Sequence, residues 1–444
     1  MVSRSSLVVA TLFAVVGLGG QAWSQTPPPP DTGAPPPPPP EAAPPAVVPA
    51  APPPPVEMMP PMAPPPAPPP AAGPPSFKID AGGGNTIKFG LLLQPQFQSL
   101  GSTALNGNAY NLFLRRTRLL VGGTLFDGKF EYFLDTDYPN LFLATNEAAT
   151  ATAAATTTKA TPGMNVQDAF ATWKPLEGQY KEWFKVDAGY MLPPMAHNAV
   201  QGATSLYLWD YFAFTFLSTA NTLLGSTASP VGRDLGVQLR GLLFSGLLEY
   251  RLNLFQGLRS TDQPAAMGMP STDLGSNNFF RAVGRLQLNL LDPEPGFFYA
   301  GTYLGKKKIL SIGGSFDTQK SYHYFAGDVF ADLPVGPGVF TAQVNVAHWD
   351  GGTFVAIAKE TAFMSEAGYN FNTLISPILH VEYLWGGTSS GGVTSVNQGR
   401  YGGGLALWCF GHNSNLKVFY TRLTEQGAPH GANQINAQWQ LFFF

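Results

Sequence analysis

Between positions 433 and 444 polar amides and apolar side chains take turns. Gln434, Asn436, Gln438 and Gln440 alternate with Ile435, Ala437, Trp439, Leu441 and Phe443. Successive side chains of a strand point to opposite faces, so this segment makes a sheet with one wet and one apolar side. The same period runs through Glu249-Tyr250-Arg251-Leu252-Asn253-Leu254, Arg285-Leu286-Gln287-Leu288-Asn289-Leu290 and Asn415-Leu416-Lys417-Val418-Phe419-Tyr420. From Phe77 onward the chain is therefore β-structured, which leaves a soluble sandwich or a membrane barrel.

Three observations favour the barrel. No run of about 18 apolar residues follows the N-terminal segment, so a membrane structure here must cross with strands. The apolar faces are rich in Tyr, Phe, Trp and Leu over stretches of about ten residues, the length of a tilted spanning strand. About sixteen such stretches can be placed, an even number: 86–97, 112–124, 128–138, 165–174, 183–192, 234–243, 247–257, 279–290, 308–317, 320–332, 339–349, 358–369, 376–385, 399–409, 415–424 and 433–444. Only 12% of residues are charged, about half the share of an ordinary soluble domain. The formal net charge of −3 offers a nucleic-acid partner no basic surface. The expected fold is thus all-β, an antiparallel transmembrane barrel of about sixteen strands in the outer membrane of a Gram-negative bacterium.

Residues 1–24 read as a secretory signal peptide: Arg4, an apolar run from Leu7 to Leu18, then Ala22 and Ser24 before a cut at Gln25. Residues 25–76 are almost wholly Pro and Ala, a composition that supplies few backbone donors and little apolar surface to bury. They are expected to form a disordered periplasmic linker, extended at about 3.1 Å per residue, with the cell wall as a candidate partner. The barrel domain is expected over 77–444. Cys409 stands alone, so no intramolecular disulfide is possible.

Phe126-Asp127-Gly128 and Phe244-Ser245-Gly246 read as tight turns, while 139–164 and 193–233 are long connections. Segment 291–307 is too long for a turn at the short-turn end, and its Phe297-Phe298-Tyr299 suggests a further short strand.

Several motifs together resemble the phosphate-selective porin O and P family of outer-membrane channels. They are Arg115-Arg116-Thr117-Arg118-Leu119, Gly232-Arg233-Asp234-Leu235-Gly236-Val237-Gln238-Leu239, Leu304-Gly305-Lys306-Lys307-Lys308-Ile309-Leu310 and Asp328-Val329-Phe330-Ala331-Asp332-Leu333-Pro334. Gly411-His412-Asn413 before Leu416-Lys417, and Asn433-Gln434 before Leu441-Phe442-Phe443, complete the set. The resemblance spans Lys88 to Phe444 and omits the Pro-rich segment. It implies a sixteen-stranded homotrimer in outer-membrane lipid that passes small anions through a pore lined with arginines and lysines.

Strand alternation turns Arg116, Arg118, Lys185, Arg240, Arg251, Arg285 and Lys417 inward as candidate pore-lining cations, able to replace water around an anion. It also turns Glu131, Asp135, Asp137, Asp187 and Glu249 inward, with Glu366 and Glu382, so the expected lumen is nearly balanced in charge. The family's cation positions are occupied here by Tyr190-Met191, Leu206-Tyr207 and His380. Loop 193–233 resembles the constriction loop, with Tyr207, Trp209, Asp210, Tyr211, Phe212, Phe214 and Phe216, and no Lys or Arg before Arg233. Aromatic rings of this kind suit stacking solutes as well as wall contacts.

The six histidines lack metal-ligand spacing, and no Gly-x-Ser-x-Gly turn is present. A third reading is a rim enzyme built on His348 with Asp350, or His323 with Asp328. No catalytic residue, metal or cofactor is expected. The function expected from the sequence is passive diffusion of small hydrophilic solutes, anions such as phosphate among them, through a water-filled barrel narrowed by 193–233. The alternative is an outer-membrane-to-wall tether with a plugged barrel and the Pro-rich arm.

Overall fold

The computed structural model describes residues 77–102, 107–147, 156–159, 161–215, 232–258, 279–428 and 431–444. The expected signal peptide and Pro-rich linker, and Phe216 of the loop, lie outside these residues. In chain order the strands are β1 (Phe77–Gly82), β2 (Asn85–Ser102), β3 (Gly107–Leu125), β4 (Phe130–Asp137), β5 (Ala144–Glu147), β6 (Thr156–Lys159), β7 (Asn165–Trp173), β8 (Lys185–Met191), β9 (Asp234–Leu243) and β10 (Leu248–Phe255). They continue as β11 (Arg281–Asn289), β12 (Ile309–Gln319), β13 (Tyr322–Val335), β14 (Gly338–Asp350), β15 (Glu360–Phe371), β16 (Ile375–Trp385), β17 (Gln398–Leu407), β18 (Cys409–His412), β19 (Ser414–Glu425) and β20 (Ala432–Phe443).

Sixteen of these strands form one antiparallel ladder that closes where β2 pairs with both β3 and β20. Each coincides with a segment placed from the sequence. Closure satisfies every strand edge, the condition for spanning lipid with β-structure. β1 takes over from β20 beside β2: Phe443 faces Leu91, and Phe77 faces Phe89. β5 and β6 form a separate hairpin within the connection from β4 to β7.

Outward-facing residues are apolar and exposed, as Leu119, Leu239, Leu252, Leu254, Leu286 and Leu379 are. Near the short-turn end the outer wall carries Phe126, Phe130, Trp173, Trp183, Phe244, Phe371, Phe410 and Trp439. Near the long-loop end it carries Phe97, Tyr110, Phe325, Trp385 and Tyr401. An aliphatic belt between two aromatic girdles is the surface of an outer-membrane barrel. Phe126, Asp127 and Gly128 turn with positive φ, as do Phe244, Ser245 and Gly246, which tightens both hairpins at that end.

Two features depart from the sequence expectation. The register of β2 with β3 slips between Leu93 and Pro95, so Arg115 and Arg116 together oppose Gln94. Pro95 has no N–H to give the ladder, and the extra residue makes a bulge that re-aims the strand. Phe113 is buried before the bulge, and Arg116, Arg118 and Leu120 are buried after it. The buried parity therefore changes from Phe113 to Arg116 across the bulge, while Arg116 and Arg118 share the inward face as expected. The second correction concerns 291–307, where no strand forms. Pro293, Pro295, Gly296 and Gly301 break any ladder, and the segment folds into the barrel instead.

Candidate functional site: the barrel lumen

The inward faces of β3, β4 and β7 to β11 are charged. Those of β13 to β16, β17 and β19 add a large apolar component that includes Tyr324, Trp349, Met364, Ile378 and Phe419. The loop after β8 enters from the long-loop end and divides its contacts accordingly. Tyr207, Leu208, Trp209, Phe212 and Phe214 pack on the apolar side. Trp209 meets Phe419 at 5.0 Å and His380 at 5.4 Å between ring centres. On the charged side Asp210 accepts from Arg115 Nε at 2.7 Å and Arg116 Nη2 at 2.5 Å. Burial raises the Asp210 carboxyl, but the two arginines outweigh it and hold that carboxyl well below the usual carboxylate range.

Backbone groups of the loop are held as firmly. Lys417 Nζ donates to the carbonyls of Leu206 at 2.6 Å and Leu208 at 2.8 Å. Ala213 N–H donates to Glu382 at 2.6 Å, and Tyr211 O–H to the Gln201 carbonyl at 2.7 Å. The single helical turn His197–Val200 lies in this loop, fully buried.

Segment 291–307 enters from the opposite end. Arg251 donates to the carbonyls of Phe297 at 2.7 Å and Gly296 at 3.0 Å, and Arg240 to that of Pro295 at 3.3 Å. Tyr299 O–H donates to Glu249 at 2.9 Å. The two in-turned segments meet through a parallel bridge between Gln201 and Tyr299. Tyr299 N–H donates to Val200, Gly202 N–H to Tyr299, and Gly301 N–H to Ser205, at 3.1, 3.0 and 2.9 Å. Beside this ladder His197 Nε2 lies 3.0 Å from Glu294 Oε2, its ring stacked on Tyr299 and Phe330. Burial raises the Glu294 carboxyl, and His197 with its neighbours reverses that to a net lowering. The waist of the barrel is filled by chain from both mouths.

Each expected inward cation is engaged. Arg118 pairs with Asp135 and Asp137 at 2.7 and 3.1 Å, Arg233 with Asp168 at 3.0 Å, and Arg240 with Asp187 at 2.7 Å. Arg251 pairs with Glu249 at 2.7 Å, Arg285 with Asp328 at 2.6 Å, and Lys185 with Glu182 at 2.5 Å. Glu131 is half-exposed and takes Lys174 at 2.7 Å. Glu366, expected inward, is buried and bonded by Gln343.

Asp168, Arg281, Asp317 and Asp328 belong to the same set and were missed. Arg281 bridges Asp317 at 2.5 Å and Asp234 at 3.4 Å. Their signal was available, since each falls on the inward parity of its strand. Gln94, which accepts from Arg116 at 2.9 Å, also lies on such a parity. His197 and Glu294 had no signal, because neither sits in a periodic segment.

Neither rim-enzyme pair assembles. His323 bonds Thr318, while Asp328 is buried on the opposite face of β13 with Arg285. His348 bonds Thr361 instead of Asp350. Among the described residues no group of three His, Cys, Asp or Glu could hold a metal ion.

No protein-family model matches the chain, and no curated protein does. Solved structures do resemble it. OmpF of Salmonella typhi, in complex with daunomycin, has 13% identity over 83% of this chain and 100% of that one, with a TM-score of 0.49. The outer membrane channel DcaP of Acinetobacter baumannii has 9% identity over 82% and 99%, with a TM-score of 0.48. A loop-deletion mutant of OmpT, an outer membrane protein of Vibrio cholerae, has 10% identity over 81% and 100%, with a TM-score of 0.48. The barrel assignment rests on the closed ladder and its two faces. That closed ladder, apolar outside and charged within, makes the chain an outer-membrane β-barrel.

Proposed function

We propose that the protein is a passive outer-membrane channel for small hydrophilic solutes, working as a homotrimer with its short turns in the periplasm. One observation carries this reading: the barrel's inner face over β3, β4 and β7 to β11 is lined with acidic and basic side chains, where a merely structural barrel could be filled with apolar ones. Burying so many charges costs more than a hydrocarbon filling of the same volume. A water-filled conformation repays that cost by hydrating them. Passage then requires one of the two in-turned segments to leave the waist, so the channel is gated.

The finer expectation of phosphate passage would have the pore-lining set Arg116, Arg118, Lys185, Arg240, Arg251, Arg285 and Lys417 act on the solute. In the present conformation these cations bond carboxylates and carbonyls, which favours weak ion selectivity over an anion ladder. The constriction residues Tyr207, Trp209, Asp210, Tyr211 and Arg233 would set the narrowest point. The tether alternative depends on the Pro-rich arm, and no contact among the described residues favours it.

Stepwise conductance of the purified protein in a planar bilayer tests the proposal. Discrete openings with a small zero-current potential in a salt gradient are expected. A barrel that stays silent at all voltages overturns it.

A further inference from the structure

At the short-turn end the barrel holds a cavity of about 680 Å³, bounded by the inner wall from β20 round to β9 and floored by the two in-turned segments. Its apolar side is a continuous shelf of rings. Phe133 is central, with ring-centre distances of 5.9 Å to Phe170, 5.8 Å to Phe298 and 5.7 Å to Phe444. Phe170 stacks on Phe297 at 4.2 Å.

Lys88, Gly122, Phe133 and Phe170 stand on one row across β2, β3, β4 and β7, each the direct partner of the next. Adjacent strands are about 4.8 Å apart, so the backbone of Lys88 is on the order of 10 Å from that of Phe133. Gly122 has no side chain, and the edge of the Phe444 ring takes the intervening place, next to the Tyr132 carbonyl and the Phe133 ring.

The charges lining this cavity are unequal in their commitments. Lys185 is bonded to Glu182, Arg240 to Asp187, and Glu131 to Lys174. The Lys88 ammonium has no hydrogen bond or ion pair among the described residues, and the residue is half-buried on the lumen side. The cavity therefore offers one uncommitted cation beside an apolar cluster of mutually tilted rings.

We propose that this vestibule binds a small aromatic monocarboxylate, its ring on the shelf around Phe133 and its carboxylate on the Lys88 ammonium. Aromatic faces supply stacking and apolar burial, while a lysine supplies one charged contact. Inorganic phosphate fits poorly, because it needs several donors to replace its water and the shelf has none. An organic cation is disfavoured because both lining carboxylates, Glu131 and Glu182, already hold lysines. The site would add a binding step to the channel reading, from which its test is separate because no current is passed.

Saturation-transfer NMR on the full chain in detergent micelles, with benzoate as probe, tests the inference. Benzoate is expected to saturate at millimolar concentration, with inorganic phosphate failing to compete. Lys88→Ala should weaken it about tenfold and Lys88→Arg should keep it. Phe133→Leu, which preserves apolar volume but removes the ring, should weaken it as well. Equal competition by phosphate, unchanged binding by Lys88→Ala, or no saturable benzoate signal overturns the proposal.

Discussion

Asp210 shows how one side chain fixes the position of a whole loop. It faces two arginines because the β3 bulge places Arg115 and Arg116 side by side, and each charge-assisted bond is worth about 1.5–3 kcal/mol. Asp210→Asn should free the loop, giving larger openings in bilayer recordings and a reversal potential shifted toward anions. Unchanged values for both would place the anchor elsewhere. The sign of the pH effect follows from the lowered carboxyl. Its contribution is complete above the ordinary carboxylate value of about 4 and is lost only as pH falls through the lower folded value. The difference in conductance between the parent and Asp210→Asn should accordingly hold constant from about pH 7 to about pH 4, and loss of that difference within the window would contradict the latch. The buried pair Arg285–Asp328 permits a sharper comparison. Arg285→Ala alone leaves a buried carboxylate with no counter-charge and only the His197 N–H, and should cost about 3–5 kcal/mol, whereas Arg285→Ala with Asp328→Ala should cost much less, read as shifts in the unfolding temperature.

At the scale of elements, 291–307 matters most. It occupies a position where a barrel needs only a short turn, and it bonds Arg240 and Arg251 through its carbonyls. Replacing 294–304 by a short glycine linker should leave the sixteen strands intact, since none of their ladder bonds is touched. It should also raise single-channel conductance several-fold. A shortened variant that folds and conducts as the parent does would show that the segment does not restrict the path. The same replacement removes Tyr299 and with it the bonds to Val200 and Gly202, so protease access to loop 193–215 from the long-loop end should increase in parallel.

For the whole molecule, closure means that no strand edge unfolds independently, which gives heat-modifiable migration on gels in detergent. The proposed trimer should persist in mild detergent and collapse to a single barrel on heating. Light scattering of the purified protein distinguishes that from a monomer.

The period of two in segments such as 433–444 and 247–257 was enough to set strand positions, facing and the apolar outer wall, because it is a local property of consecutive side chains. It also put Asp135, Asp187, Arg240 and Arg251 inside. Which carboxylate meets which arginine depends on register between strands, and the bulge at Arg115–Arg116 shows how one extra residue resets it. The filling of the waist was decided only in three dimensions. Segment 291–307 and residues 193–215 carry no repeat, and their common course exists because arginine and lysine donors on distant strands meet carbonyls and one carboxylate that no linear pattern marks.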